Sequence, residues 1–224
     1  YGFSTNTRLN FRPFIAAREG FFKYSLLLEN DSEYVIKENL FFSSNLKYSI
    51  KDNFDDLVIP PKTVFPAQVR SDIKQYLNNF KNRVIIGRAQ LDYHYTLRPN
   101  HHVMVTGGIL EEMFNGVGFE YIYFNPKKNY AAGFEVFDVI KRDYGLRFGT
   151  LDYKNTFGNI NLYYKNYNLI PFDAKISYGE YLAGDVGATF DLSRTFKSGL
   201  KFGIFATFTD VTSEQFGEGS FDKG

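Results

Sequence analysis

The 224-residue chain carries 26 basic and 25 acidic residues, a net charge of +1, and so offers no electrostatic case for nucleic acid as a partner. It contains no cysteine, which removes disulfide scaffolds, thiolate metal sites and cysteine nucleophiles. A mean hydropathy of -0.30, with no apolar run near the ~20 residues of a spanning helix, excludes a bundle of membrane helices. Aromatic residues reach 19%, as 25 Phe and 17 Tyr without Trp. That surplus is high for a soluble domain and natural for strands facing lipid, where each strand is apolar on one side only.

Period two runs through most of the chain. Leu9 and Phe11, then Phe22, Tyr24, Leu26 and Leu28, read as a hairpin turning at Glu19-Gly20. Tyr34, Ile36, Leu40, Phe42, Leu46, Tyr48 and Ile50 all fall on even positions, which predicts one strand over residues 34–50. Such a strand exceeds a bilayer crossing, so it either projects beyond the membrane or bends at Ser43-Ser44. Val69, Ile73, Tyr76, Leu77 and Phe80 change the period to that of a short amphipathic helix near 67–80, a helical insertion within residues 66–81. Its expected role is a plug or cap against a barrel end, or a gate.

Over Val84–Arg98 the odd positions are apolar, and the even ones turn polar after Val84 and Ile86. Arg88, Gln90, Asp92 and His94 therefore share one side, expected to face water inside a barrel. Further apolar faces follow in Val103-Val105-Gly107-Ile109, Val117-Phe119-Tyr121-Tyr123 and Tyr130-Ala132-Phe134-Val136, with turn signals at Pro99-Asn100, Asn115-Gly116 and Pro126–Asn129. Strands are next expected over Ile160–Tyr167, Ala174–Tyr181, Val186–Ser193 and Leu200–Thr209, for a total of about eleven. Short turns imply antiparallel pairing, so the fold class is all-β: an antiparallel transmembrane β-barrel, or a large part of one, forming a single region over 1–224.

Candidate chemistry is sparse. His101 and His102 are adjacent and point to opposite faces of a strand, which disfavours a shared metal site. Glu111 and Glu112, read as strand neighbours, do not provide two carboxylates held across a sugar. The glycines at 107, 108, 116 and 118 lack a following Gly-Lys-Ser/Thr and are expected to relieve crowding on a coiled sheet. Nothing predicts a cofactor or an enzyme. Polymer-contacting candidates are Arg88, Gln90, Asp92 and His94, with Asp185 and Arg194 near the two ends of one strand. Glu218, Asp222 and Lys223 join them from the glycine-rich string Phe216–Gly224, where they form either a constriction or a salt-bridged loop. Tyr93 and Tyr95 are expected in an interface girdle, while Tyr163, Tyr164 and Tyr167 fit either a girdle or sugar stacking.

One stretch carries a family likeness. Gly179–Asp185, Gly187-Ala188-Thr189, Leu192-Ser193-Arg194, Phe196, Gly199 and Phe216–Gly224 resemble the YjbH family of exopolysaccharide-export proteins. A looser likeness runs through Val69–Asp72, Tyr76, Leu110–Phe114, Gly116–Gly118, Glu120 and Arg142-Asp143, so that residues 66–224 are covered. The resemblance implies a bacterial outer-membrane barrel, and a non-catalytic part in exopolysaccharide secretion. The implied partners are the polymer, outer-membrane lipid and small periplasmic or lipoprotein components of the same export system. It also implies that this chain is a piece of a longer barrel protein. The residues by themselves leave open a porin-like or receptor barrel, a soluble carbohydrate-binding β-sandwich and, least supported, an enzyme acting on the polymer.

Overall fold

The computed structural model describes residues 2–17, 20–54, 69–79, 83–168, 170–212 and 215. Eleven strands follow one another: β1 (Gly2–Ala17), β2 (Gly20–Lys37), β3 (Leu40–Asp52), β4 (Val84–Arg98), β5 (His101–Ile109), β6 (Phe114–Phe124), β7 (Tyr130–Arg142), β8 (Thr150–Asn166), β9 (Phe172–Glu180), β10 (Val186–Thr195) and β11 (Lys201–Thr209). They form one antiparallel sheet in sequence order, each strand paired with its chain neighbours. No pairing joins β1 to β11 among the described residues, so the sheet is open and not closed into a barrel; the expectation was a barrel or a large part of one. No described helix is long and apolar enough to cross a membrane.

The two faces differ in polarity. Outward-facing positions carry Leu91, Val105, Phe119, Phe134, Ile160 and Phe190, all exposed. The opposite face carries small polar residues such as Ser25, Thr106, Asn161 and Ser177, which are buried. The sheet twists and curls, and neighbouring strands shield these polar groups. Gly118 shows the crowding: a Cβ there would strike the ring of Phe137, its partner on β7. At Gly108, with φ of 131°, a side chain would meet the carbonyl of Ala89.

Three expectations change in the structure. The even-numbered run from Tyr34 to Ile50 is two strands, not one, joined by a hairpin at Glu38-Asn39. Tyr34 pairs with Phe42, even with even, so the alternation passes through the turn unbroken and conceals it. The apolar even positions Val84 and Ile86 come from a bulge: Arg88 pairs with Asn45 and Ile86 with Leu46, leaving Gly87 as the extra residue. Below that bulge the faces exchange, so Val84 is exposed outward and Ile85 is buried inward. The helix is shorter than 67–80: α1 spans Ile73–Asn78 after a turn, and Phe80 lies outside the described residues.

At one end, α1 and the 110–113 and 143–149 loops cap the concave side over the cluster of Leu27, Tyr76, Ile85, Met113, Phe114, Val139 and Leu146. Arg142 is wholly buried inside this cap. Its guanidinium donates to five backbone carbonyls: Ile86 (2.8 Å), Glu111 (3.1 Å), Glu112 (3.1 Å), Leu146 (2.7 Å) and Arg147 (3.0 Å). Its own carbonyl accepts from the Tyr76 hydroxyl at 2.6 Å. Only a planar fork reaches so many acceptors at once, which a lysine ammonium with three donors does not do. Arg142→Lys is expected to leave buried carbonyls unpaired and to cost roughly 3 kcal/mol or more. The readout is the urea midpoint of the purified protein, together with faster proteolysis near α1; an unchanged midpoint would refute the hub role.

Candidate functional site

The concave face divides into two zones. Near the cap it is a network of matched charges. Glu29 of β2 lies within ion-pair distance of Arg8 (3.3 Å), Arg12 (3.8 Å) and Lys47 (3.5 Å), while Arg8 also reaches Asp31 at 3.1 Å. Glu112, in the loop folded over this face, takes Lys47 at 2.5 Å and Arg12 at 3.4 Å. Arg12 belongs to β1 and Glu112 lies beyond β5, so this contact spans the concave side. Glu111 and Glu112 are thus loop residues with separate cationic partners, since Glu111 meets Arg70 at 2.7 Å, rather than neighbours along a strand. The α1 side is tied down in the same way: Lys141 reaches Asp72 at 2.7 Å, and the Tyr144 hydroxyl donates to Asp72 at 2.9 Å.

These partners shift titrations in the cap. Burial works against the charged form of Glu112, but Lys47 and Arg12 outweigh it and hold the carboxyl below the usual range. Burial and then the Asp72 carboxylate, which accepts its hydrogen bond, push Tyr144 up to about 12. Burial also raises Tyr76.

Away from the cap the concave face is a polar wall built by register. Arg88, Gln90, Asp92 and His94 all lie on it, the order that alternation above the Gly87 bulge requires. Asp92 is buried and accepts from Gln90 (2.9 Å) and Thr106 (2.6 Å), so it organises the wall rather than lining it openly. Arg88 sits beside the charge network, and His94 packs edge-on to Phe41. Farther along come Glu120, Glu135, Asn161, Tyr163 and Lys175, of which the sequence offered Tyr163 for a girdle or sugar stacking and Glu120 only as part of the family likeness. Their signal was present: they are the positions between the apolar residues of strands already recognised. Asn161 and Ser177 are joined at 2.7 Å, and Thr189 and Thr207 at 2.9 Å.

Other candidates lie apart. Asp185 occupies the β9–β10 turn at the capped end, where its carbonyl accepts from Tyr181 N–H. Arg194 shares its face with Phe190 and Leu192, the outward one, and its guanidinium stands 4.8 Å from the Phe196 ring centre, so register separates it from the polar wall. Glu218, Asp222 and Lys223 lie outside the described residues. Tyr93 and Tyr95 stack on the outward face. Tyr164 also points outward, whereas Tyr163 points inward with the Lys175 ammonium 5.5 Å from its ring. His101 meets Tyr121, and His102 meets Thr96, on opposite faces. Among the described residues no group of three or more His, Asp or Glu is arranged to hold a metal ion.

The depressed Glu112 carboxyl makes a stability prediction. A carboxyl whose folded pKa lies below its unfolded one stabilises fully above the unfolded value, here 4.5, and loses that contribution as pH falls through the folded value. Glu112→Gln is therefore expected to cost roughly 1.5–3 kcal/mol near pH 7 and to flatten the acid limb below the ordinary glutamate range. Unfolding midpoints of both proteins across pH 3–7 check this, and parallel pH profiles would refute it.

Comparison with known proteins gives the same family for nearly the whole chain. The model of the family described as exopolysaccharide biosynthesis protein YbjH matches residues 2–224, so the likeness extends to the strands before residue 66 as well. The protein named uncharacterized lipoprotein YjbH, from Escherichia coli strain K12, is 30% identical over 215 residues. That match covers 94% of this chain and 30% of the relative, so the chain spans about a third of the relative's length. No solved structure matches. With a family match over nearly all its residues, the chain belongs to the YjbH family of exopolysaccharide biosynthesis proteins.

Proposed function

We propose that these strands form part of the wall of an outer-membrane β-barrel that takes part in exopolysaccharide secretion without covalent chemistry. The observation that carries the reading is the division of the sheet into two faces. The outward face exposes aromatic and aliphatic side chains along every strand, and such a surface is stable against hydrocarbon and costly in water. Its apolar band has recognisable limits. Toward the capped end the outward positions become Asp138, Thr156 and Glu180, and toward the other end they include Tyr34, Tyr93, Tyr95, Tyr123, Tyr130 and Tyr164. That distribution suits a hydrocarbon slab with an aromatic girdle at one interface.

The concave face then meets water and the polymer. Its amide, hydroxyl, carboxylate and tyrosine groups hydrogen-bond or stack with sugars and need no catalytic pair to let a chain slide past. The lipoprotein name of the E. coli relative agrees with a membrane location, because acyl anchoring holds a protein at a lipid surface. The partners in this reading are the exopolysaccharide, outer-membrane lipid, and small periplasmic or lipoprotein components of the same system.

Cysteine scanning tests the reading, since this chain has no cysteine of its own. Single replacements of Thr189, Phe190, Asp191 and Leu192 are made in the full-length protein and exposed in outer-membrane vesicles to a membrane-impermeant maleimide. Positions 189 and 191 are expected to react, and 190 and 192 to react only after the lipid is removed. A heat-dependent gel shift of the unmodified protein is expected alongside. Equal labelling of all four positions would sink the proposal.

A further inference from the structure

The chain as a whole is charge-balanced, 26 basic residues against 25 acidic, but the balance fails at the end of the sheet that carries the tyrosine girdle. The five connections there, 37–40, 98–101, 124–130, 165–172 and 194–201, hold eight basic residues and one acidic residue, Glu38. Lys165 is matched by Asp173 at 3.4 Å, and Lys201 shares the inward parity of buried Ser193. Lys37, Lys127, Lys128 and Lys197 are exposed and lack an ion-pair partner among the described residues. Arg98 and Arg194 stand on the outward face itself. Arg98 is opposite His101, whose ring meets the outward Tyr121, and Arg194 is opposite Phe202. Each lies just past the girdle: Arg98 follows Tyr95 on β4, and Leu192, the outward residue before Arg194, shares a register line with Tyr164 through Ala174. Among the described residues neither guanidinium has a carboxylate or hydrogen-bond partner. That of Arg194 lies over the Phe196 ring, and its Nε is buried without a partner.

A guanidinium that borders an apolar surface is costly in hydrocarbon and is stable where its side chain reaches an anion at the interface. Over a ring it keeps its planar N–H fork available, and that fork matches a phosphate with two parallel hydrogen bonds. We propose that this end of the wall is seated in the headgroup layer of the membrane, where Arg98 and Arg194 bind the phosphates of anionic phospholipids. The exposed lysines of the turns add a further attraction to the same surface. The assignment rests on the outward face being the lipid-facing one. Apolar band, tyrosine girdle and basic rim then follow one another as hydrocarbon, interface and phosphate do. The connections at this end are two to five residues long, the kind that outer-membrane barrels place on the periplasmic side, so the headgroups are those of phospholipids. An acidic polymer on the concave face does not fit these guanidinia, because both are turned away from it.

The test titrates the full-length protein in dodecyl maltoside with dioctanoyl phosphatidylglycerol, dioctanoyl phosphatidylcholine, inorganic phosphate and a galacturonic acid tetramer, with bound ligand read by native mass spectrometry. Phosphatidylglycerol is expected to bind in preference to the other three. Its affinity is expected to fall about fivefold in Arg98→Gln and in Arg194→Gln, and again as the ammonium acetate concentration rises. Arg194→Lys, which keeps the charge, is expected to retain most of it. Lys154→Gln removes an outward charge toward the capped end and is expected to change nothing. The glutamine variants should keep the parent's heat-dependent gel shift, which separates lost affinity from lost fold; where one loses it, the other carries the test. Equal affinity for the two lipids, or unchanged affinity in both glutamine variants, overturns the proposal. So does an equal loss in Lys154→Gln, which reduces the effect to net charge, or tetramer binding that the glutamine variants abolish. Maleimide labelling at 189 and 190 separates the two levels of the argument. If it alternates while phosphatidylglycerol shows no preference, the headgroup site is wrong and the lipid-facing wall stands; if it does not alternate, the wall reading itself has failed.

Discussion

The capped end depends on one buried guanidinium. Arg142 ends β7, yet its donors reach carbonyls from β4, the 110–113 loop and the 143–149 loop, while its carbonyl holds the Tyr76 hydroxyl of α1. These segments are short, and loops and short helices do not stay folded by themselves. Gathering their carbonyls around a single cation satisfies polar backbone that the cap would otherwise bury unpaired. The apolar cluster around Leu27, Ile85 and Met113 can then form without carrying orphaned carbonyls into it.

That organisation also positions the charge network. Glu112 follows a residue whose carbonyl Arg142 holds, and its side chain drops onto Lys47 and Arg12. The cap is thereby fastened to β1 and β3 through ions and to β4 and β7 through backbone. The polar wall beyond receives no such cover, and its uncharged residues pair among themselves instead.

Strand identity was largely readable from alternation, because each strand is apolar on one side and the sheet keeps that side outward throughout. Alternation was silent wherever register preserved or reversed parity. The turn at Glu38-Asn39 keeps even positions outward and so vanished into one long run, while the Gly87 bulge reversed the faces within one apparent strand. The first half of β8 was missed for a related reason: Tyr153 and Phe157 point into the cap there, and Lys154 and Thr156 point out. The polar wall was half readable. Arg88, Gln90, Asp92 and His94 follow from one strand's pattern, but the Glu120 and Glu135 pairing needs the register between two. Arg142 had no sequence signal of its own role, since burial of a guanidinium among carbonyls depends on loops far apart in the chain.

The two edge strands of the sheet, unpaired on their outer sides among the described residues, have a directional consequence. In a meander each strand reverses the last, so β1 and β11, ten steps apart, run the same way. Rolling these eleven strands onto themselves would create one parallel seam among ten antiparallel ones, with slanted and slightly weaker hydrogen bonds along it. One further strand between the edges would run antiparallel to both and remove that seam. In the membrane wall proposed above, hydrocarbon tolerates no unpaired row of amides and carbonyls, so an odd count would turn the closing of the sheet into a choice between a mismatched joint and an additional strand.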